Sequence, residues 1–544
     1  MSKQTKFLSI AIGLLQGKAE FEGDAVINNM TAEKLFGAIK DISGNPEIGG
    51  MPKEEDGLKG RLLVKTFDEK GKGVPAQVKL FKLLDGETKE SFDRVNGKIT
   101  MDRRVTYFNG ILTADVTPGR YVVEVSKGSE YEIITDYAQI LPGEVVERSY
   151  QLSRIIDLSE MGWFAGDLHH HSVYSSPVWK GTDDVVESAS DVANSMMAMG
   201  LKFGCLSDHH NTFNHDAFRK TKMEDFCPIV SKEISTSNGH VMSMGVEKDV
   251  IYAIPEDEDR TDEYLRAEFR RIVKEIKDEK GLAQLNHPRD LQTAISWNPK
   301  FYDMIDIFDT VEIWNGSNPQ MSGSTNDKAY KLWDELLKKG TYIPATTGSD
   351  CHNTRANDYH LFFDQLTEIY ADLNKYKAEF KQYSDELYVF EKIFEHVIQV
   401  MEKWAESNLT SGGVRTFAYL GEEPSPEIVM DSLKRGNSFL TDGPILIPKI
   451  SGKIPGEKAG NIGKEVELEI LLLSNRPLKT LELHTNKEQT EIIDIADKNK
   501  LSAEVNHYDY SQKLWLNTDD VKWIYLIARD DCTNMAITNP IFLQ

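Results

Sequence analysis

Three times in the middle of this chain an amphipathic stretch of helical spacing stops at a glycine, a short apolar strand follows, and the strand runs directly into a polar cluster. After Asp183 the residues Val185, Val186, Ala189, Val192, Ala193 and Met196 repeat at helical spacing, and Gly200 stops that helix. Phe203 to Leu206 then leads into Ser207-Asp208-His209-His210. Thr261 can cap a helix through Lys277, Gly281 ends it, and Leu282 to Leu285 leads into Asn286-His287-Pro288. A third helix over Lys328 to Lys339 ends at Gly340, and Tyr342 to Thr347 delivers Gly348-Ser349-Asp350-Cys351-His352. Strands alternating with helices predict an α/β barrel with parallel strands. The loops after those strands converge on one mouth, where such barrels carry their active sites.

The flanks read differently. Between Gly57 and Leu152 the alternations Leu62, Val64, Thr66, then Val78, Leu80, then Tyr121, Val123, Val125 are broken by Lys70-Gly71-Lys72-Gly73 and Pro118-Gly119. They predict a small β-sandwich over residues 57–155, of immunoglobulin-like or carboxypeptidase-regulatory-like kind. Alternation resumes from Lys464 (Val466, Leu468, Ile470, Leu472; Leu481, Leu483; Ile524, Leu526, Ala528) and predicts a second sandwich within 446–544. The barrel is expected over 160–445, interrupted at 361–408 by a Gly- and Pro-free stretch that reads as a helical lid or oligomerisation element. In the N-terminal segment 1–56, Lys3 and Lys6 precede the apolar run Phe7 to Leu15, with Gly17 and Ala19 beyond. The favoured reading is a first element packed on the N-terminal domain of a cytoplasmic protein; an export signal is the alternative. No window approaches the roughly 18 apolar residues of a membrane span. The 4 Cys, none before Cys205, make no disulfide framework.

The histidines point to chemistry. None of the 13 occurs before His169, and eight (His169, His170, His171, His209, His210, His240, His287 and His352) fall in five short segments at strand ends. On an extended strand His169 and His171 share a face and His170 takes the other. Neutral imidazoles suit zinc, iron or manganese. Joined by Asp208-His209, Glu233, His240, His287 and Asp350-X-His352, they read as a metal site. Two neighbouring ions stand roughly 3.5–4 Å apart, a span that a carboxylate's two oxygens can bridge; Glu233 is the first candidate for this bridge and Asp350 the second. Asp208 is expected to orient a neighbouring imidazole rather than bind metal. With 87 acidic and 63 basic residues the formal charge is −24. Coating of nucleic acid is excluded, since it needs a basic surface. An anionic substrate would need local positive charge from the ions, extended by Arg289, Arg355 or Arg415. Cys351, between two candidate ligands, is expected to face away from them.

The segments Gly166-Asp-Leu-His-His-His-Ser, Ser207-Asp-His, Glu233 with Gly239-His240, Asn286-His-Pro, Glu312-Ile-Trp-Asn-Gly and Gly348-Ser-Asp-Cys-His follow one another in an order that resembles the PHP (polymerase and histidinol phosphatase) superfamily. Lys434-Arg-Gly-Asn-Ser-Phe-Leu-Thr-Asp-Gly-Pro and Ala536-Ile-Thr-Asn-Pro-Ile look like its carbaryl-hydrolase-like (CehA/McbA) branch. The resemblance, over about 162–544, implies a distorted (β/α)7 barrel that holds two or three divalent ions and hydrolyses esters, usually phosphoesters. It puts His169, His171, Glu233 and Asp350 on one ion, with Glu233 bridging to a second held by His240 and His287. His209 and His352 go to a third. The family's further ligand for that third ion would stand at Ser176, so the third site is expected to be weak, completed by His210 or water, or empty.

The function expected is hydrolysis of a phosphoester of a small, anionic molecule by a metal-bridged hydroxide, with neither nucleic acid nor membrane as partner. A carboxylic-ester or carbamate hydrolase at the same metals is the nearest rival, and a non-catalytic binding protein with a relict barrel a more distant one. A serine hydrolase would need a Gly-X-Ser-X-Gly elbow, which Gly316-Ser-Asn and Ser322-Gly-Ser do not supply.

Overall fold

The computed structural model describes residues 34, 58–83, 86, 88, 101–179, 181, 183, 185–252, 261–289, 295–319, 325–352, 377–389, 391–392, 410–460, 463–487, 490–502 and 506–543. The N-terminal apolar run and Arg355 lie outside them. Of the expected helical insertion, residues 377–389 and 391–392 are described, and they are largely helical around a 3-10 turn at Lys381–Tyr383. Among the described residues no helix is long and apolar enough to cross a membrane.

The chain is mixed α/β and rich in strands. Its first seven strands are β1 (Gly60–Phe67), β2 (Gln77–Lys82), β3 (Met101–Val105), β4 (Ile111–Val116), β5 (Gly119–Ser126), β6 (Ile134–Ile140) and β7 (Val145–Gln151). They form two small sheets, β4-β1-β7 and β3-β2-β5-β6. Alternate residues Leu62, Val64, Val78, Leu80, Val123 and Val125 are fully buried between them.

The central strands are β8 (Trp163–Asp167), β9 (Phe203–Leu206), β10 (Cys227–Thr236), β11 (Gly239–Met244), β12 (Leu282–Asn286), β13 (Thr310–Asn315) and β14 (Ala345–Gly348). β8, β9 and β10 pair in parallel, as do β12, β13 and β14. Their polar clusters therefore leave the sheet at one end. The all-parallel expectation fails at β11, which is antiparallel to both neighbours. Only Ser237 and Asn238 separate β10 from β11, and a two-residue connection makes a hairpin but cannot make a parallel crossover.

Among the described residues no strand pairing closes the expected barrel: β14 pairs there with β13, and Asp350 N donates to His169 O at 2.9 Å and His171 N donates to Cys351 O at 3.1 Å. These bonds bring the exit of β14 back to the exit of β8. On its other edge β8 pairs with β15 (Arg415–Tyr419), and the sheet continues through β16 (Ser438–Thr441). Of the C-terminal strands, β17 (Ile445–Ile450), β18 (Glu465–Ser474), β21 (Lys500–Leu501), β22 (Tyr508–Asp509) and β23 (Gln512–Asn517) make a separate layer. β19 (Leu478–Thr485), β20 (Glu491–Asp494), β24 (Trp523–Asp530), β25 (Met535–Thr538) and β26 (Ile541–Phe542) extend the central sheet to 14 strands, with β25 paired to β16.

Among the described residues, the helices α1 (Ala189–Ala198), α2 (His215–Arg219), α3 (Asp262–Asp278), α4 (Asn326–Lys338) and α5 (Pro426–Arg435) cover this frame. α3 starts at the expected Thr261 cap, whose hydroxyl accepts from Tyr264 N, and buries Leu265, Phe269, Ile272, Val273 and Ile276. α1 starts later than the apolar spacing suggests, because Ser188 and Asp191 form a reciprocal capping box. Val185 and Val186 thus belong to the preceding loop, which also carries Asp183.

Candidate metal centre

At the exits of β8, β9, β12 and β14, and along β10 and the start of β11, imidazoles and carboxylates converge. Glu233 is the hub. It is 1% exposed in β10, where the strand runs past the end of β9. Its Oε1 lies 3.1 Å from His240 Nδ1 and 3.0 Å from His287 Nε2, and accepts from Asn286 Nδ2 at 2.8 Å. Its Oε2 lies 3.3 Å from His169 Nε2, 3.5 Å from His171 Nε2 and 3.2 Å from His209 Nδ1. The two oxygens face two different sets of nitrogens.

Around Oε2 the spacing is that of ligands about a shared point. His169 Nε2 and His171 Nε2 are 3.2 Å apart, and Asp350 Oδ1 is 3.3 Å from the first and 2.9 Å from the second. Tetrahedral ligands at about 2.0–2.2 Å from an ion stand about 3.3–3.6 Å from one another. Asp350 Oδ1 is buried without an aligned hydrogen-bond donor, and so is His287 Nδ1. Orphaned polar atoms of this kind are costly unless a ligand completes them. The donor set, imidazole with carboxylate, fits zinc, manganese or iron.

A third group lies beside the first. His209 Nε2 is 3.0 Å and His352 Nε2 3.2 Å from Asp183 Oδ2, and these three with His171 could hold an ion. The carboxylate absent at Ser176 is thus supplied by Asp183, in the loop between β8 and α1. Ser176 Oγ is buried without a partner. Sequence reading used Asp183 only to mark the start of a helix, and its distance from His171 hides the match.

Burial and charge explain the protonation states. Burial alone would keep His169 neutral, but Asp350, Glu233 and Glu312 raise its pKa well above the imidazole range. Burial would raise Glu233 and Asp350, yet the surrounding imidazoles, His169 foremost, hold both well below the carboxylate range. Burial opposes protonation of His287 and His352 too, but Glu233 pushes the first to about 9 and Asp183 the second to about 9. His171 is driven well below its usual range by burial, then by His352 and His209.

A further set of groups holds the ligands in place. Glu312 on β13 faces His169 Nδ1 at 3.1 Å and accepts from His287 N at 3.0 Å and Asn315 Nδ2 at 3.1 Å. The segment Glu312-Ile-Trp-Asn-Gly was recognised in the sequence, but without a role for the carboxylate. Thr346 and Thr310 hydroxyls donate to Gln284 Oε1, Gln284 Nε2 donates to Asn286 Oδ1, and Asn286 then addresses Glu233. His287 and Asp350 take positive φ, at 22° and 50°. Strained backbone of this sort gathers where a site needs it.

Four residues expected at the site stand apart from the ligand groups, Asp208 acting on an imidazole only through a serine. Asp208 touches no imidazole: it accepts from Ser172 N and Oγ, Ser175 Oγ and Asn214 Nδ2, and only Ser175 Oγ reaches His171 Nδ1, at 3.0 Å. Arg415 is not in the cluster. Its neighbour on β15, Thr416, turns inward to Thr347, so Arg415 points away and donates to Met199 O at 2.7 Å. Arg289 donates to the Tyr302 hydroxyl, with its guanidinium carbon 5.7 Å from the ring centre. His210 is 5.7 Å from His209 ring to ring but joins none of the ligand groups. His170 turns away, as expected, to His171 O and Ser411.

No protein-family model and no curated protein matches this chain. Among solved structures, one named as a metal-dependent phosphoesterase from Bifidobacterium adolescentis is similar over 35% of this chain and 87% of its own, at 13% identity and a TM-score of 0.25. An amidohydrolase from Chromobacterium violaceum, solved with sulfate and no metal, is similar over 34% of this chain and 87% of its own, at 16% identity and a TM-score of 0.23. Scores this low carry no functional argument, and the reading that follows rests on the side-chain geometry.

Proposed function

We propose that this protein is a metal-dependent hydrolase of ester bonds, a phosphoesterase first, belonging to the PHP superfamily and its carbaryl-hydrolase-like branch. One observation carries the reading: Glu233 turns one carboxylate oxygen to His169 and His171 and the other to His240 and His287. His169, His171, Glu233 and Asp350 would hold one divalent ion, Glu233, His240 and His287 a second, and Asp183, His209 and His352 a third. Bound there, zinc, manganese or iron would acidify a water and neutralise charge growing on the substrate oxygen.

The chain's own residues prepare this chemistry. Glu312 takes the Nδ1 proton of His169 as a hydrogen bond and leaves Nε2 to turn its lone pair inward. Asp208, through Ser175, does the same for His171. Asn286, fixed by Gln284, keeps Glu233 from rotating out of its two-sided position. Asp350, poised by its positive φ, adds the Oδ1 of its carboxylate, while Asn315 Nδ2 donates to Oδ2 at 3.2 Å and holds the group in place. The substrate is read as a small anionic ester, drawn to ions in an otherwise acidic protein. Arg289 is retained as an outer anion contact, whereas Arg415 is given no part.

A cytoplasmic location is proposed, with export as the alternative, to be checked by cell fractionation. The deciding experiment is elemental analysis of the purified protein together with a panel of phosphomonoesters, phosphodiesters, aryl carboxylic esters and carbamates. Metal-dependent turnover of a phosphoester is expected. Turnover of the carboxylic esters alone would select the rival substrate class, and no metal-dependent turnover on the panel would overturn the proposal.

A further inference from the structure

Arg103 on β3 is 2% exposed, and among the described residues its guanidinium makes neither a hydrogen bond nor an ion pair. Strand register explains how a charge comes to be placed there. Arg103 stands opposite Lys79 on β2, between the pairs Val78–Arg104 and Leu80–Asp102, and Val78 and Leu80 point into the sandwich core. Successive side chains alternate, so Arg103 takes the other face of the sheet. Gln77 shares that face one diagonal step away, is also 2% exposed, and has its Nε2 without a partner. The sheet docks on α1 here. Asn194 Nδ2 donates to Thr106 O at 3.1 Å, just beyond β3, and Lys127 Nζ, just beyond β5, donates to Met197 O at 2.5 Å.

A guanidinium does not escape burial by losing its proton. Burial pushes Arg103 down only to about 10, and the group that counters this is the Cys351 thiol rather than a carboxylate. A buried charge without a counter-charge is expensive, and so is a buried donor without an acceptor. Nε is fully enclosed, whereas the two Nη atoms, equally without hydrogen bonds, keep the little accessible surface that the residue has. The fork of the guanidinium therefore opens on a space that a body the size of a water molecule can enter.

We propose that Arg103 holds a small monovalent anion, chloride by size and charge, which braces the N-terminal sandwich on α1 beside Cys351. Charge and room choose the occupant. One guanidinium carries one positive charge, which a monovalent ion balances and a phosphate would exceed. A space of that size takes a single-atom ion and no larger oxyanion. The orphaned neighbour on the same face, Gln77 Nε2, is a neutral donor that adds an N–H without adding charge. The site is independent of the hydrolytic reading of the metal centre.

The test measures urea unfolding of the full chain while sodium chloride replaces sodium gluconate at constant ionic strength. For a site half-filled at about 10 mM, raising chloride from about 10 to about 100 mM is expected to lower the unfolding constant about fivefold. Arg103→Met keeps an unbranched side chain and removes the charge, and should make unfolding independent of chloride. Sulfate at equal ionic strength should not replace chloride. Bromide diffused into crystals of the parent protein should give an anomalous peak in contact with the Arg103 Nη atoms, a result that decides the matter even where Arg103→Met fails to fold. No chloride dependence in the parent, the same dependence in Arg103→Met, sulfate acting as well as chloride, or bromide bound only elsewhere would overturn the proposal.

Discussion

Replacing Glu312 by glutamine changes one oxygen to an amide nitrogen and leaves shape and volume nearly alone, so its effect isolates carboxylate charge and hydrogen-bond polarity from packing. Glu312 is fully buried. Its Oε1 faces His169 Nδ1 at 3.1 Å, and its Oε2 accepts from two donors, His287 N at 3.0 Å and Asn315 Nδ2 at 3.1 Å. If the glutamine oxygen keeps the Oε2 position, its NH2 faces His169 Nδ1. The ring must then place its proton on Nε2, the nitrogen 3.2 Å from His171 Nε2, and can no longer turn a lone pair toward the cluster. If the amide is reversed, NH2 meets two N–H donors instead. The reversed arrangement leaves a buried donor–donor mismatch costing about 1–3 kcal/mol in stability, whereas in the first the Nε2–H can donate to Glu233 or Asp350 and the cost falls on metal binding. Loss of a group that orients a metal-ligating histidine lowers metal affinity by about 10–100-fold, or about 1.4–2.7 kcal/mol. The assay is competition for metal against a calibrated chelator, with thermal unfolding in parallel and histidine 15N shifts to read the His169 tautomer. A Glu312→Gln variant that binds metal within about twofold of the parent, with Nδ1 still protonated, would refute the reasoning.

Asp183→Asn should remove one ion per chain under mild chelation while Ser176→Asp restores none, as counted by elemental analysis. In the chelated protein His287 and His352 have pKa values pushed to about 9, above the ordinary imidazole value of roughly 6.5. Their stabilisation is therefore present in full below about pH 6.5 and lost as pH rises through about 9, so the melting temperature with chelator should fall over that window. The metal-loaded protein, whose ligating nitrogens carry no proton there, should lack that fall. Gly348→Ala would put a methyl carbon 2.3 Å from His169 Cβ and 2.9 Å from Glu312 Oε1; a loss of about 1–3 kcal/mol in denaturant unfolding is expected, together with weaker metal binding. Glu233→Ala should abolish metal-dependent turnover with a near-native circular dichroism spectrum.

Local signals in the sequence located most of the secondary elements around the site. Phe203–Leu206 and the Thr261 cap stand where spacing and capping chemistry put them, because both are decided by neighbours a few residues away. The pairing of distant strands was not legible. Nothing near Gly239 announces that β11 reverses direction except the shortness of its link to β10. Nothing near Ala536 announces that β25 joins the sheet of β16. The histidines of the cluster were visible because their residue types are rare and their segments regular. Asp183 was passed over because a single carboxylate has no pattern of its own, and Glu312, though its segment was recognised, received no role; only the folded chain brings Asp183 to His209 and Glu312 to His169. Arg415 misled because position in sequence does not say to which side of a strand a side chain turns.

The pairing of β16 with β25 also sets a timetable for synthesis. Phe439, Leu440 and Thr441 receive their partners Thr538, Ile537 and Ala536 only after about 100 further residues have been made, roughly 5–20 s at ordinary translation rates. Until then one edge of the central sheet is bare, and Ala345, whose N–H and carbonyl are both taken up by the Asn539 side chain, has no closing contact at the start of β14. A nascent chain stalled or cut before Met535 would carry every candidate metal ligand, and yet would present an unpaired apolar edge to its neighbours.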